Sequence, residues 1–158
     1  AYGKDRVFLS SDDAAVRQAA IERIKGHILT ASDYPHAVVI IGLIKGKVSD
    51  CESRESYFSN LISALQECAE EAGKYQVYLG LEVINRYESD VINTVEEGLE
   101  LLELTATPLL GSDCHDMTKR PPNLKGGREM VRRKLGEAFL AQMDENARRL
   151  TAPTLAQV

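Results

Sequence analysis

The run AVVIIGLI, residues 37–44, decides the fold class of this chain. It is a continuous stretch of apolar, largely β-branched residues, which is typical of a parallel-sheet strand covered on both faces. Two similar runs, YQVYLGLEVI (75–84) and TPLLGS (107–112), predict further strands, and RVFLS (6–10) predicts a weaker fourth. The chain is therefore predicted to contain four parallel strands.

Helical patterns alternate with these strands. Apolar residues recur at helical spacing over 16–28, 58–72, 91–102 and 131–150. Repetition of strand and helix predicts an α/β fold made of parallel (βα) units with right-handed crossovers. About four such units make a partial TIM barrel, since a complete barrel has eight units and typically needs about 250 residues. Residues 1–158 are accordingly predicted to form a single α/β domain.

Local signals predict where the helices begin and end. A residue among Ser10–Asp12 is expected to cap the first helix, and Gly73 is expected to lie just after the second. Ser89 or Asp90 is expected to cap the third. The unbroken apolar stripe at the end of the chain predicts one long helix, from about Gly127 to Leu150.

The composition excludes several classes of partner. Of the 158 residues, 44% are hydrophobic and 27% are charged, which is typical of a globular domain. A net charge of −5 and few aromatic side chains argue against a nucleic-acid partner. No apolar run approaches the roughly 20 residues that span a bilayer, which argues against a membrane partner. Three cysteines, no CxxC spacing and no signal-peptide pattern predict a cytoplasmic protein.

Glu82 is the first candidate site residue. It follows the apolar part of a predicted strand, near the carboxyl end where parallel sheets place their sites. An unpaired carboxylate in a buried strand is costly, so a divalent metal or a substrate is expected to compensate it. The alternative is that Glu82 forms a structural ion pair with Arg86 or Lys45.

Asp113 and His115 form the second candidate cluster. They alternate around Cys114, so on an extended strand end their side chains point to the same side. A carboxylate and an imidazole together suit Mn²⁺, Fe²⁺ or Zn²⁺. The alternative is that Asp113 caps the following turn and His115 is merely exposed.

The stretch GLEVINRYESDVINTVEEGLELLE (80–103) resembles the sugar-phosphate isomerase/epimerase family of xylose-isomerase-like barrels, the group that contains the ketose 3-epimerases. LSSDDAAVRQAAIERIKGHILTAS (9–32) and AVVIIGLIKGK (37–47) are similar to the preceding units, so the resemblance covers about 7–104. It implies that Glu82 ligates a divalent metal, commonly Mn²⁺ with Zn²⁺, Mg²⁺ or Fe²⁺ as alternatives, and moves a proton. It also implies that Glu88 contacts the hydroxyls of a small sugar or sugar phosphate.

A second resemblance covers 107–150. GSDCHDMTKRPPN, which begins at Gly111, is similar to the C-terminal part of PHP-family phosphoesterases, nearest to the manganese-dependent tyrosine phosphatases of bacterial capsule synthesis. This resemblance implies that Asp113 and His115 are metal ligands. It also implies that Arg120, which matches the arginine of the family's RPP, contacts an anion.

Three functional hypotheses follow, because the two resemblances meet near residues 103–107. The first is a reduced sugar isomerase/epimerase with Glu82, Asp113 and His115 around one divalent metal. The second is a PHP-type phosphoesterase, and the third is a recombined or designed half-barrel, a chimera without catalytic activity. Open sheet edges favour a homodimer that completes an eight-stranded barrel, with an open four- or five-stranded α/β layer as the alternative.

Overall fold

The computed structural model describes residues 5–35, 37–94, 97–98, 118 and 124–155. The chain divides into two compact units, Ala1–Leu104 and Thr105–Val158, called here the N-terminal and C-terminal units. Each unit is described by itself. The division falls within the region where the two sequence resemblances meet.

The N-terminal unit alternates helix and strand. Helix α1 spans Ala14–Ala31, strand β1 Val38–Ile41, helix α2 Arg54–Lys74 and strand β2 Tyr78–Leu81. The two strands pair in parallel, joined through α2, with Val38 opposite Tyr78 and Ile41 opposite Leu81. Two single turns of 3₁₀ helix, Leu43–Lys45 and Val48–Asp50, follow β1. The prediction of an α/β fold with parallel strands is confirmed.

The helices of this unit begin at polar caps. The Asp13 carboxylate accepts hydrogen bonds from the N–H groups of Ala15 (2.8 Å) and Val16 (3.4 Å), so the cap of α1 lies one residue after the predicted range. Helix α2 begins with a capping box in which Ser53 and Ser56 bond each other's backbone N–H groups.

The end of α2 differs from its prediction. Gly73 lies inside the helix, and the left-handed backbone conformation falls on Gln76, whose φ is 57°. The N–H of Val77 bonds the Ala72 carbonyl at 3.0 Å, which closes the helix. Gly73 was a misleading signal because its φ is not positive, so neither its backbone conformation nor crowding requires a glycine there.

The apolar core of the N-terminal unit lies between one face of the sheet and the two helices. Val39 and Ile41 point into it, together with residues of both helices: Ala20, Ile21, Ile24, Ile28, Tyr57, Leu61, Ala64, Cys68 and Ala72. The opposite face is open, since Val38 is 39% exposed and Ile40 is 58% exposed. The prediction that β1 is covered on both faces is therefore wrong for the described residues.

Residues 6–10, predicted as a weak strand, do not form one. Phe8 and Leu9 are buried, but the segment makes a turn in which the Ser11 N–H bonds the Phe8 carbonyl. The N–H of Leu9 donates to the Ile44 carbonyl at 2.8 Å, beyond the end of β1. The apolar pattern of this segment therefore reflects the burial of Phe8 and Leu9. The segment does not pair with a strand as the prediction required.

The C-terminal unit contains a helical hairpin. Helix α3 spans Leu124–Leu135 and α4 spans Glu137–Leu155, so the predicted single helix is broken at Gly136, which has φ 89°. Arg128 Nη2 lies 2.7 Å from Asp144 Oδ2, although 16 residues of straight helix would separate them by about 24 Å. The hairpin encloses a small core of Val131, Leu140 and Met143.

The predicted strand at 107–112 lies outside the described residues, so the count of four units stays a prediction. Residues 91–94 and 97–98 of the third predicted helix are described: 91–94 are not helical, whereas 97 and 98 are. The Glu97 N–H donates to Thr94 Oγ1 at 3.2 Å, so Thr94 caps this helix rather than Ser89 or Asp90. Within the described ranges, no helix combines the length and apolar character needed to cross a membrane.

Candidate functional site

Glu82 lies one residue beyond β2, at the carboxyl ends of the two parallel strands. Its N–H donates to the Ile41 carbonyl at 3.1 Å, which extends the sheet pairing by one residue and fixes the backbone at this point. The side chain itself is exposed. The expectation of a carboxylate buried in the strand is therefore wrong, and Glu82 instead projects from a fixed backbone where solvent can reach it.

Lys45 lies beside Glu82 and is fully buried. Its Nζ lies 3.4 Å from the Glu82 carbonyl oxygen and 3.5 Å from the Gly42 carbonyl oxygen. Burial lowers the pKa of the ammonium to about 8, against the opposing effect of the nearby Glu82 carboxylate. The Lys45 ammonium therefore contacts the backbone of the first residue after each strand, Gly42 after β1 and Glu82 after β2.

The alternative in which Glu82 forms a structural ion pair is not found. Among the residues that the structure describes, neither Lys45 nor Arg86 places a charged nitrogen within 4 Å of the Glu82 carboxylate. Lys45 contacts the Glu82 carbonyl instead. The carboxylate therefore forms no close ion pair in this part of the chain, although it lies near enough to the Lys45 ammonium to interact with it electrostatically.

Gly42 makes room for the Glu82 side chain. A Cβ atom added to Gly42 would lie 2.5 Å from Glu82 Oε2, well inside van der Waals contact. The carboxylate therefore occupies the space that a larger residue at position 42 would fill. Position 42 follows β1 as position 82 follows β2, so the two residues are neighbours across the strand ends.

Glu88 lies on the loop after Glu82. Asn85 organises this loop: its carbonyl accepts the Glu88 and Ser89 N–H groups, each at 3.1 Å, and its Oδ1 accepts the Tyr87 N–H at 2.9 Å. Asn85 Nδ2 also donates to Glu88 Oε2. The Glu88 carboxylate is consequently exposed but oriented.

Asp90 ties the loop after β2 to the loop after β1. Its two carboxylate oxygens accept the N–H groups of Val48 and Ser49, each at 2.9 Å. Partial burial acts to raise the pKa of Asp90, but the hydrogen bonds from Ser49 and Val48 outweigh it and hold the pKa below its ordinary value. The predicted role of Asp90 as a cap for the third helix is replaced by this connection.

Asp12 makes a similar connection between the segment before α1 and the loop after β1. It accepts the Glu52 N–H at 2.6 Å and a hydrogen bond from Asn60 Nδ2 at 3.0 Å. The Glu52 N–H, above all, keeps the pKa of this carboxyl below its ordinary value. Three loops are thus joined by carboxylates that contact backbone N–H groups. The sequence carries acidic residues in each loop but no signal that pairs them.

The second predicted cluster lies outside the described residues. Asp113, His115 and Arg120 all belong to this segment, so their roles and the PHP-type hypothesis stay predictions. Within the described ranges, no three His, Cys, Asp or Glu side chains come close enough to hold a metal ion together. The role of Glu82 as a metal ligand accordingly stays a prediction.

Comparison with known families gives a match over most of the chain. The sequence model of the family described as xylose isomerase-like TIM barrel matches residues 1–112. The matched region includes Gly42, Lys45, Glu82 and Glu88. It covers the whole N-terminal unit and extends a few residues into the next.

Two curated relatives are L-ribulose 3-epimerases. One, from Mesorhizobium japonicum, is 31% identical over 101 residues, which cover 63% of this chain and 34% of the relative. The other, from a Methylomonas species, is 38% identical over 63 residues, which cover 40% of this chain and 22% of the relative. The chain thus matches about a third of the length of one relative and about a fifth of the other.

Proposed function

Because the chain belongs to the xylose isomerase-like TIM-barrel family, we propose that it acts as a sugar isomerase or epimerase that uses a divalent metal. In this proposal Glu82 is a metal ligand and the base, and Glu88 contacts substrate hydroxyls. L-Ribulose is the first substrate to test, because both curated relatives are named for it.

The position of Glu82 supports the proposal most directly. Its carboxylate is exposed, forms no ion pair within 4 Å among the described residues, and extends from the carboxyl end of a parallel strand whose backbone is held on both sides. TIM-barrel enzymes place their catalytic groups at this end of the strands. A carboxylate kept only for stability would be expected to form a close ion pair or accept hydrogen bonds.

The chemistry assigned to Glu82 is proton transfer at carbon. One Glu82 carboxylate oxygen accepts the proton from the carbon beside the ketose carbonyl, and the electrons of that C–H bond move toward the carbonyl oxygen. Return of a proton to carbon restores a ketose. A divalent metal, when bound, supplies polarisation of the carbonyl and the adjacent hydroxyl, which makes the C–H bond more acidic.

The donor set of the described residues fits such a metal in part. Carboxylate oxygen is a suitable ligand for Mn²⁺ and Mg²⁺, and Glu82 offers it without competition from a nearby ion pair. Asp113 and His115 are the proposed further ligands. The metal is proposed as Mn²⁺, with Zn²⁺, Mg²⁺ and Fe²⁺ as the alternatives.

The first prediction concerns proton exchange by Glu82. With Mn²⁺ and L-ribulose in D₂O, we expect deuterium to enter the substrate at the carbon next to the carbonyl, measured by proton NMR. Glu82→Gln should slow this exchange by about 100-fold or more, since a positioned base typically contributes 10²–10⁴-fold. Exchange requires only one base, so it is measurable even where epimerisation is incomplete.

A matched variant controls for the loss of a negative charge. Glu70 is an exposed glutamate on α2, so Glu70→Gln should exchange deuterium at the rate of the unmodified protein. Wild-type exchange by Glu82→Gln would contradict the proposed role of Glu82. A panel of other ketoses, with p-nitrophenyl phosphate for the phosphoesterase hypothesis, separates the substrate classes.

A further inference from the structure

The surroundings of Glu82 contain two residues that the proposed reaction does not itself use. Gly42 and Lys45 both belong to the segment that leaves β1, and both contact Glu82. Because β1 and β2 are parallel and in register through Ile41 and Leu81, this segment leaves the sheet beside Glu82. The two residues act on different parts of it, one on the side chain and one on the backbone.

Gly42 controls the space available to the carboxylate. The nearest atom to an added Cβ would be Glu82 Oε2 at 2.5 Å, whereas the next atoms lie at 3.8 and 3.9 Å. Only the carboxylate would therefore have to move if a methyl group were added. Since Oε2 is the end of a flexible, exposed side chain, the group can rotate away without disturbing the backbone.

Lys45 controls the backbone from which that side chain extends. Its buried ammonium contacts the Glu82 carbonyl on one strand end and the Gly42 carbonyl on the other. The Glu82 N–H is meanwhile bonded to Ile41. The peptide units on both sides of Glu82 are thus tied to the segment at the end of β1.

We propose that Gly42 and Lys45 are positioning residues for Glu82: Gly42 leaves the space in which the carboxylate lies, and Lys45 holds the backbone beneath it. Only the functional consequence rests on the proposed function: if Glu82 is the metal ligand and base, the two residues orient it before metal and substrate bind. The positioning itself is a property of the metal-free protein and is tested there first.

The test of Gly42 uses Gly42→Ala with Gly26→Ala as the matched control. Gly26 lies in α1 with no atom within 4 Å of an added Cβ. In metal-free protein labelled with ¹³C at glutamate side-chain carboxyl groups, Glu82→Gln identifies the Glu82 signal. We expect Gly42→Ala to move that signal and Gly26→Ala to leave it unchanged. An unmoved signal in Gly42→Ala would overturn the role of Gly42.

The test of Lys45 follows the backbone. In Lys45→Met we expect the Glu82 amide to exchange with D₂O about tenfold faster, while the amides within β1 and α2 keep their rates. Lys74→Met is the control, since Lys74 is an exposed residue at the end of α2. Equal acceleration throughout the unit would mean a general loss of stability, and an unchanged Glu82 amide would mean no tether. Either result would overturn the role of Lys45.

A calorimetric Mn²⁺ titration then links positioning to function. Gly42→Ala should bind Mn²⁺ about 10-fold more weakly or worse, in the range found when groups that orient a ligand are lost. Gly26→Ala should bind as the unmodified protein does. If Glu82→Gln does not weaken Mn²⁺ binding, the proposed function fails, while the NMR shift and amide exchange still decide the positioning. If Glu82→Gln weakens it and Gly42→Ala does not, the positioning inference fails.

Discussion

Lys45 shows at the scale of one residue how a charged side chain can be part of a core. It is 0% exposed, and its ammonium has contacts to carbonyl oxygens at 3.4 and 3.5 Å, both long for hydrogen bonds. These long contacts compensate only part of the cost of removing a charge from water, which is why burial lowers the pKa of Lys45. Its aliphatic stem, in contrast, fills space in a close-packed region.

The second prediction separates the stem of Lys45 from its charge. Lys45→Met keeps most of the stem and removes the buried charge, so its free energy of unfolding should lie within about 1 kcal/mol of the unmodified protein or above it. Lys45→Ala removes the stem and should cost about 2–4 kcal/mol through lost burial and a cavity.

Urea denaturation followed by far-UV circular dichroism measures both variants of Lys45, since the chain has no Trp to serve as a fluorescent probe. A loss in Lys45→Met as large as that in Lys45→Ala would mean that the ammonium, not the stem, stabilises this region.

At the scale of elements, two connections depend on a glycine with a positive φ. Gly46, which has φ 87°, lies in the loop after β1 against Phe8 and Ser10. Gly136 has almost the same φ, 89°, and separates α3 from α4, but no atom lies within 4 Å of the Cβ it would carry. The two glycines therefore share a backbone conformation and differ in crowding.

The third prediction uses this pair. Gly136→Ala should cost only the strain of a left-handed backbone, about 1–2 kcal/mol. Gly46→Ala adds contacts of its Cβ with Ser10 Oγ and with Phe8 Cδ2 at 2.8 Å, so it should cost about 3 kcal/mol or more.

Because Gly46 and Gly136 lie in different units, amide hydrogen exchange within its own unit should be used for each variant. Equal losses of stability would show that the backbone conformation alone decides, and that the crowding around Gly46 relaxes.

At the scale of the whole molecule, one face of the sheet in the N-terminal unit exposes apolar side chains. Val38, Ile40 and Tyr78 are 39%, 58% and 47% exposed, and the backbone edges of a two-stranded sheet in the described residues invite further pairing. In a TIM barrel the interior face of every strand is covered by other strands of the barrel. The predicted homodimer would supply such a cover.

The fourth prediction tests that homodimer. If the open face is the contact, Ile40→Asp should give a monomer in sedimentation velocity at concentrations where the unmodified chain is a dimer. Leu29→Asp should remain a dimer, because Leu29 has the same 58% exposure but lies on α1, away from the sheet. A monomeric unmodified chain, or a dimeric Ile40→Asp, would rule out this assembly.

The sequence predicted the local elements well where the signal was itself local. The runs at 37–44 and 75–84 contain β1 and β2, and the apolar stripes at 16–28 and 58–72 lie on α1 and α2. It failed at the last helix, because the apolar spacing stays in phase across Gly136 while the backbone turns there. It failed at residues 6–10 because burial and strand pairing produce the same apolar pattern.

The sequence by itself determined the order of α1, β1, α2 and β2, the family of the chain and the candidacy of Glu82, since each rests on neighbouring residues or on a motif. The tertiary structure alone decided that Glu82 is exposed, that Lys45 contacts its carbonyl, and that Asp90 binds the loop after β1. These contacts join residues 37 to 42 positions apart. Their partners are selected by the register of β1 and β2, a property that no local pattern contains.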